Sequence, residues 1–304
     1  MQQNKKNLKS LKAVDLFCGC GGLTSGFQNA GFEILTAYDA WDKAIECYNK
    51  NFQHPAAHLD LSDIPKAIKK IKQWKCDIII GGPPCQDFSI AGKRQEGDRA
   101  NLTICFAEIV ASVKPTWFAM ENVDRALGSD SYAKAKEIFR QAGYGISQMV
   151  LDASLCGVPQ KRKRLFCIGK LEEGDGFIDE SLRKGLRKKP MTVREYFGDE
   201  LSLDHYYRHP RNYNRRGIFS VDEPSPTIRG VNRPVPKGYP GHPQDPVEIN
   251  ASIRQLTTVE RARMQTFPTN YKWIGSKTNV ETMIGNAVPV KLAEFVAKAI
   301  LEYV

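Results

Sequence analysis

The chain has 304 residues, 41% of them hydrophobic and 26% charged, and a formal net charge of +10. That length holds one large core, or one core and a smaller domain, and the composition is that of a folded protein, not a disordered one. No apolar run approaches the ~20 residues a bilayer crossing needs, and the polar start from Met1 to Ser10 is no signal peptide, so a cytoplasmic, membrane-free protein is expected.

The elements follow in a regular order. Ala13 to Phe17 reads as a short apolar strand, and Leu23 to Ala30 as a helix ended by Gly31. Phe32 to Tyr38 is a second strand and Trp41 to Phe52 a second helix. Asp77 to Gly81 is a β-branched strand stopped by Gly82, Pro83 and Pro84. Leu102 to Lys114 is a helix, Trp117 to Met120 a strand, Tyr132 to Ala142 a helix closed by Gly143, and Arg164 to Ile168 a further strand. This alternation predicts an α/β fold, a doubly wound and mostly parallel sheet. From about Lys170 proline, glycine, arginine and tyrosine dominate and periodicity fades, as in a second, smaller, irregular or short-stranded domain over 171–252. The first domain then covers 1–170, and 253–304 returns to complete it. In that return segment Thr257 to Gln265 is a helix with Thr257 or Thr258 as its cap, and Val290 to Tyr303 is a closing helix packed on the first domain.

Charge and cysteine placement narrow the function. Between Arg183 and Lys237 stand thirteen Lys/Arg against six Asp/Glu, interleaved with Tyr206, Tyr207 and Tyr213. Such a surface suits a polyanion, against the plainer reading of a solvated basic face. The eight cysteines contain no C-x-x-C pair and fall mostly in apolar segments, which points to reduced, buried thiols and to no metal site. Cys85 differs, because it follows a strand end, where open α/β folds bind their ligands. The glycine turn from Phe17 to Leu23 suits a nucleotide-type cofactor, with Asp39 placed to accept from a ribose, Trp41 to stack on adenine and Asp60 to accept from an exocyclic amine. Turn capping is the alternative for either acid.

These pieces together resemble the DNA cytosine-5 methyltransferases of bacterial restriction-modification systems. In the family's order stand Asp15-Leu16-Phe17-Cys18-Gly19-Cys20-Gly21-Gly22, Gly82-Pro83-Pro84-Cys85-Gln86 and Glu121-Asn122-Val123. Gln160-Lys161-Arg162-Lys163-Arg164, the Arg254 to Pro268 region and Gly285-Asn286-Ala287-Val288-Pro289 follow, so the match spans Ala13 to about Ala293. The resemblance implies the S-adenosylmethionine-dependent methyltransferase fold with a DNA-recognition domain, and methyl transfer to carbon 5 of a cytosine flipped out of the duplex. It makes Cys85 the nucleophile at carbon 6, Glu121 the carboxyl at ring nitrogen 3 and the amino group, Arg164 the cation on the carbonyl oxygen, and Arg162 a phosphate or supporting partner.

It places Phe17, Gly19, Gly21, Gly22, Leu23, Asp39, Trp41, Asp60, Pro84, Leu102, Asn286 and Ala287 at the cofactor. Here Ala40 separates the acid from the tryptophan, which the family often has side by side, and Cys18 stands where Ser or Ala is common. Thr227-Ile228 matches the recognition domain's short Thr-Leu type signature. Gln86, Ser89, Lys93, Arg94, Thr227, Arg229, Asn232 and Arg233 are the expected DNA contacts, to base edges or to phosphates alone. The implied partners are double-stranded DNA and a cognate restriction endonuclease, and the implied state is a monomer. Competing readings are a tRNA cytosine-5 methyltransferase, a silent DNA-binding regulator and, weakest, a nicotinamide dehydrogenase.

Overall fold

The computed structural model describes residues 10–84, 101–212 and 214–304. Cys85, Gln86, Ser89, Lys93, Arg94 and Tyr213, singled out from the sequence, lie outside the described residues. The first half runs β1 (Lys12–Leu16), α1 (Gly22–Ala30), β2 (Glu33–Asp39), α2 (Asp42–Asn49), β3 (Ala56–His58), α3 (Ile64–Ile71) and β4 (Ile78–Gly81). It continues with α4 (Leu102–Val113), β5 (Trp117–Val123), α5 (Asp130–Gln141), β6 (Tyr144–Asp152), the two-residue β7 (Gln160–Lys161) and β8 (Lys163–Leu171).

Seven of these strands form one sheet in the order β3-β2-β1-β4-β5-β8-β6. Pairing is parallel from β3 through β5, and β8 runs antiparallel to both β5 and β6. The order reverses between β1 and β4, and a crevice opens beyond the carboxyl ends of strands at such a switch point. Apolar residues cover both faces. Phe27, Ile34, Ile80 and Ile168 pack on one side with Leu292, Val296 and Ile300 from the closing helix. Leu16, Ile79, Phe106, Phe118 and Phe139 fill the other.

The remaining elements are α6 (Asp179–Lys184), α7 (Val193–Phe197), β9 (His205–Tyr207), β10 (Ile218–Ser220), β11 (Ser225–Pro226), α8 (Thr258–Met264), α9 (Lys277–Asn286) and α10 (Val290–Tyr303). Ile178 and Leu182, placed by sequence in the second domain, are buried in the first core beside α10. Beyond them β9 and β10 pair antiparallel, and β11 pairs in parallel with β7 in a separate two-stranded sheet, which ties the segment before Ile228 to the chain just ahead of β8. Phe197, Tyr206, Phe219 and Ile228 share a core with Met264, Phe267, Met283 and Ile284 of the return segment. Thr257 caps α8 in a reciprocal capping box with Glu260. No helix among the described residues is long and apolar enough to cross a membrane.

Candidate active site

β1 ends in a strained turn. Phe17 takes φ +59°, Gly19 +52° and Gly21 +86°, and this left-handed backbone turns the chain from strand to helix within a few residues. At Gly21 a Cβ would stand 2.3 Å from the Phe52 ring, so no larger residue fits. Asp39, at the end of β2, locks the turn: Gly19 N–H donates to its Oδ2 and Trp41 N–H to its Oδ1, each at 2.8 Å. From the other side the Tyr271 hydroxyl donates to the Cys20 carbonyl. Asp60 is exposed and accepts from Ser62 N–H and Oγ–H at 2.9 and 2.6 Å, bonds that hold its carboxyl below the usual range. Both acids therefore shape turns, and both also face the crevice.

The second half of the site comes from the antiparallel pairing of β5 and β8. Val123 lies opposite Arg164 and Glu121 opposite Phe166, so Glu121 and Arg164 are diagonal neighbours on one face of the sheet. Arg164 Nε meets Glu121 Oε1 at 2.8 Å, with both side chains nearly buried. Burial raises the Glu121 pKa above the ordinary carboxylate value, while the charges of Arg164 and Arg162 pull it back. Burial thus favours the protonated carboxyl more than exposure would, and that is the form a general acid uses. Asn122 points to the opposite face and donates to Pro83 O at 3.3 Å and to Thr103 Oγ1 at 3.4 Å, anchoring the end of β4 to β5 and α4.

Arg162 is buried. Its guanidinium donates to Ile228 O and Gly285 O, each at 3.1 Å, and to Ala287 O at 3.2 Å. These bonds hold the chain at Ile228 against the return segment at Gly285 and Ala287. Thr227 Oγ donates to Lys161 O at 3.0 Å, and Arg208 donates to Thr227 O at 2.8 Å. Asn232 commits its amide to Leu256 O and Glu281 instead of presenting it outward. Arg229 donates to His209 O. In the basic segment Glu195, Asp204, Asp222 and Glu223 bridge Arg187, Arg194 and Arg216. Among the described residues no acid bridges Arg208, Arg211, Arg215, Arg229 or Arg233. Burial, aided by the neighbouring arginine charges, lowers the Arg208 pKa to about 10. That cluster is an uncompensated positive surface.

One cavity of about 510 Å³ joins the two halves. Its walls carry Phe17, Gly19, Gly22, Leu23, Asp39, Trp41 and Asp60 at one end, and Glu121, Arg162 and Arg164 at the other. Pro84, Leu102, Asn286 and Ala287 also line it, so of the described residues expected at cofactor or base only Gly21 stands behind the wall. Ligand pockets of about 300–1,000 Å³ accommodate molecules of cofactor size. The open left-handed turn at Gly19, the acid of β2 and the flanking Phe17 and Trp41 rings match the needs of an adenosine with a charged tail. Sequence reasoning gave no role to Asn122, Gln160, Gln265 or Tyr271. Their signal was their place inside the quoted motifs or just beyond them.

A family model for C-5 cytosine-specific DNA methylase matches residues 11–302. The chain belongs to the C-5 cytosine-specific DNA methylases. The methylase is 55% identical to the Type II methyltransferase M.HindV of Haemophilus influenzae, over 96% of this chain and 97% of that relative. It is 53% identical to M.HgiDI of Herpetosiphon aurantiacus, over 96% and 95%. Solved structures share the fold: S. pombe Dnmt2 methyltransferase at TM-score 0.71 and 19% identity, covering 97% of this chain and 99% of that one. A putative DNA modification methyltransferase from an E. coli prophage gives TM-score 0.70 at 23% identity, covering 96% and 99%. Family and fold imply that the methylase uses S-adenosylmethionine.

Proposed function

We propose that the methylase transfers a methyl group from S-adenosylmethionine to carbon 5 of a cytosine turned out of a specific double-stranded DNA sequence, through a transient bond from Cys85 to carbon 6. The observation that carries this reading is the single cavity linking the glycine turn to the Glu121–Arg164 pair. A base seated against that pair and a cofactor seated on the turn would share one space. Pro84, the last described residue before Cys85, lines the same cavity.

Each side chain has a task that its chemistry suits. The Cys85 thiolate adds to carbon 6, forming a C–S bond and moving the ring's electron pair toward carbon 5. Glu121 gives its proton to ring nitrogen 3 as that charge develops, and its other oxygen accepts from the exocyclic amine. Arg164 orients Glu121 and has N–H groups left for the base's carbonyl oxygen. When bound, the cofactor supplies an electrophilic methyl carried on a sulfonium. Loss of the carbon-5 proton to a base then restores the ring double bond and breaks the C–S bond to Cys85, and nitrogen 3 returns its proton to Glu121.

The arginine cluster at 208, 211, 215, 229 and 233, with Thr227 bonded to Lys161 O ahead of Arg162, supports the second domain as the DNA-recognition surface. The names of the relatives above, Type II methyltransferases, support a role beside a cognate restriction endonuclease. We place the enzyme in the cytoplasm as a monomer.

The test uses the purified full chain, labelled S-adenosylmethionine, duplex plasmid and tRNA side by side, with Cys85→Ser as control. The expected result is methylcytosine at one short duplex sequence, lost in Cys85→Ser while cofactor affinity stays within about threefold. Transfer to tRNA with none to duplex DNA, or full activity in Cys85→Ser, would overturn the reading.

A further inference from the structure

Two buried glutamines outside the reacting groups connect the recognition segment to the cofactor side of the cavity. Gln160 on β7 and Gln265, just after α8, are both fully buried. Ile228 N–H donates to Gln160 Oε1 at 2.8 Å. Gln160 Nε2 donates to Gln265 Oε1 at 2.6 Å and to Met264 O at 3.4 Å. Gln265 Nε2 donates in turn to Ile284 O at 2.6 Å and to Ala287 O at 3.1 Å. A backbone N–H only donates and a carbonyl only accepts, so the two ends of the relay fix both amide orientations. Every polar atom of the pair has a partner, and a fully satisfied buried network specifies one geometry.

The endpoints matter for function. Ile228 follows Thr227 in the recognition segment, and Ala287 lines the cavity at the cofactor end. Arg162 grips the same two points through Ile228 O and Ala287 O, so the Ile228 backbone is held at both its N–H and its carbonyl. We propose that Gln160 and Gln265 are positioning residues that tie the recognition segment at Ile228 to the cofactor-side loop at Ala287, so that cofactor and DNA each raise the other's affinity. This inference rests on the proposed function. A cofactor packed against Asn286 and Ala287 favours the carbonyl positions that this relay holds, and so favours the Gln265, Gln160 and Ile228 arrangement that DNA meets. By linkage the effect works equally in reverse.

The test uses the full chain, S-adenosylhomocysteine as cofactor probe, and a fluorescent duplex carrying the methylated sequence. Duplex affinity is read by anisotropy with and without the probe, and probe affinity by calorimetry with and without duplex. In the native protein each is expected to tighten the other by about tenfold or more, a coupling within the usual range. Gln160→Met removes the central link. Gln265→Glu aims a carboxylate oxygen at the Ile284 and Ala287 carbonyls, which have no proton to give. In both, the separate affinities are expected to stay within about threefold while the mutual enhancement falls below about threefold. If Gln160→Met does not fold, Gln160→Glu serves, since it keeps the acceptor for Ile228 and loses the donor to Gln265. Enhancement unchanged in the variants, no enhancement in the native protein, or loss of all affinities in step with melting temperature would overturn the inference. Failure of the native protein to bind either probe at all would instead overturn the proposed function.

Discussion

Asp15 offers a test of the structure that needs no substrate. It lies fully buried on β1, just ahead of the glycine turn, with Oδ2 accepting from Thr24 Oγ–H at 2.5 Å and Oδ1 lacking a partner among the described residues. Burial, opposed by the Thr24 hydrogen bond and aided by the charge of Asp39, pushes its pKa from 3.8 up to about 7. In the unfolded chain the same carboxyl ionises near its ordinary value. Between those two values the unfolded state binds fewer protons than the folded one, so stability falls as pH rises, and above about 7 the loss is complete. Carrying a carboxyl from 3.8 to about 7 costs the ionised folded form about 4 kcal/mol, at about 1.4 kcal/mol per pH unit. Of this, about 2–3 kcal/mol develops between pH 5 and pH 8.

Asp15→Asn keeps the acceptor for Thr24 and removes the ionisation. Any cost of the new amide is independent of pH and cancels in the difference. Urea unfolding of both proteins at pH 5 and pH 8 should therefore show the variant gaining about 2–3 kcal/mol on the native protein across that interval. A stability difference that is the same at both pH values, or that moves the other way, would refute the assignment of Asp15 as a proton-holding buried acid.

Glu121→Gln should lower kcat by about 100-fold or more with cofactor affinity nearly intact, as loss of a general acid does; single-turnover kinetics would show it. Arg164→Ala removes the strongest influence holding the Glu121 pKa down. Since the reaction needs the protonated acid, the high-pH limb of the kcat profile should move upward in that variant, and a limb moving downward would contradict the pairing. Gly26→Ala places a Cβ 2.4 Å from Ala293 Cβ and 2.6 Å from Val290 O, where α1 and α10 touch. Overpacking there should destabilise by about 1–3 kcal/mol in urea melts. Arg211→Ala and Arg233→Ala should each reduce the slope of log affinity for duplex against log salt by about 0.9, if each meets one phosphate.

Much of the fold was legible because its signals are local. Strand β4 is a β-branched run stopped by glycine and proline, β5 opens on two aromatics soon after Pro115, β1 is a short run ahead of a glycine turn, and Val290 to Tyr303 has a helical period that matches α10 end to end. β3, β6 and α3 gave no such signal. β3 has three residues, β6 is an edge strand whose Gly145, Ser147 and Gln148 dilute its apolar pattern, and α3 opens Ile64-Pro65 and carries three lysines. The antiparallel direction of β8 is set by tertiary pairing, which one sequence does not display. Yet that direction brings Arg164 to Glu121.

The residues that line the cavity were readable from motifs, whereas the contacts each one makes were not. Arg162 and Asn232 look like free donors in sequence. Only packing shows Arg162 gripping three backbone carbonyls and Asn232 bound to Leu256 and Glu281.

Covalent capture examines the chemistry most directly. Duplex DNA with 5-fluorocytosine at the methylated position, incubated with the enzyme and S-adenosylmethionine, retains fluorine where a proton would depart and so stops the reaction before the C–S bond can break. The account predicts an adduct that survives denaturation and that peptide mapping places on Cys85. Complete absence of that adduct, under conditions where ordinary cytosine at the same site is methylated, would contradict it.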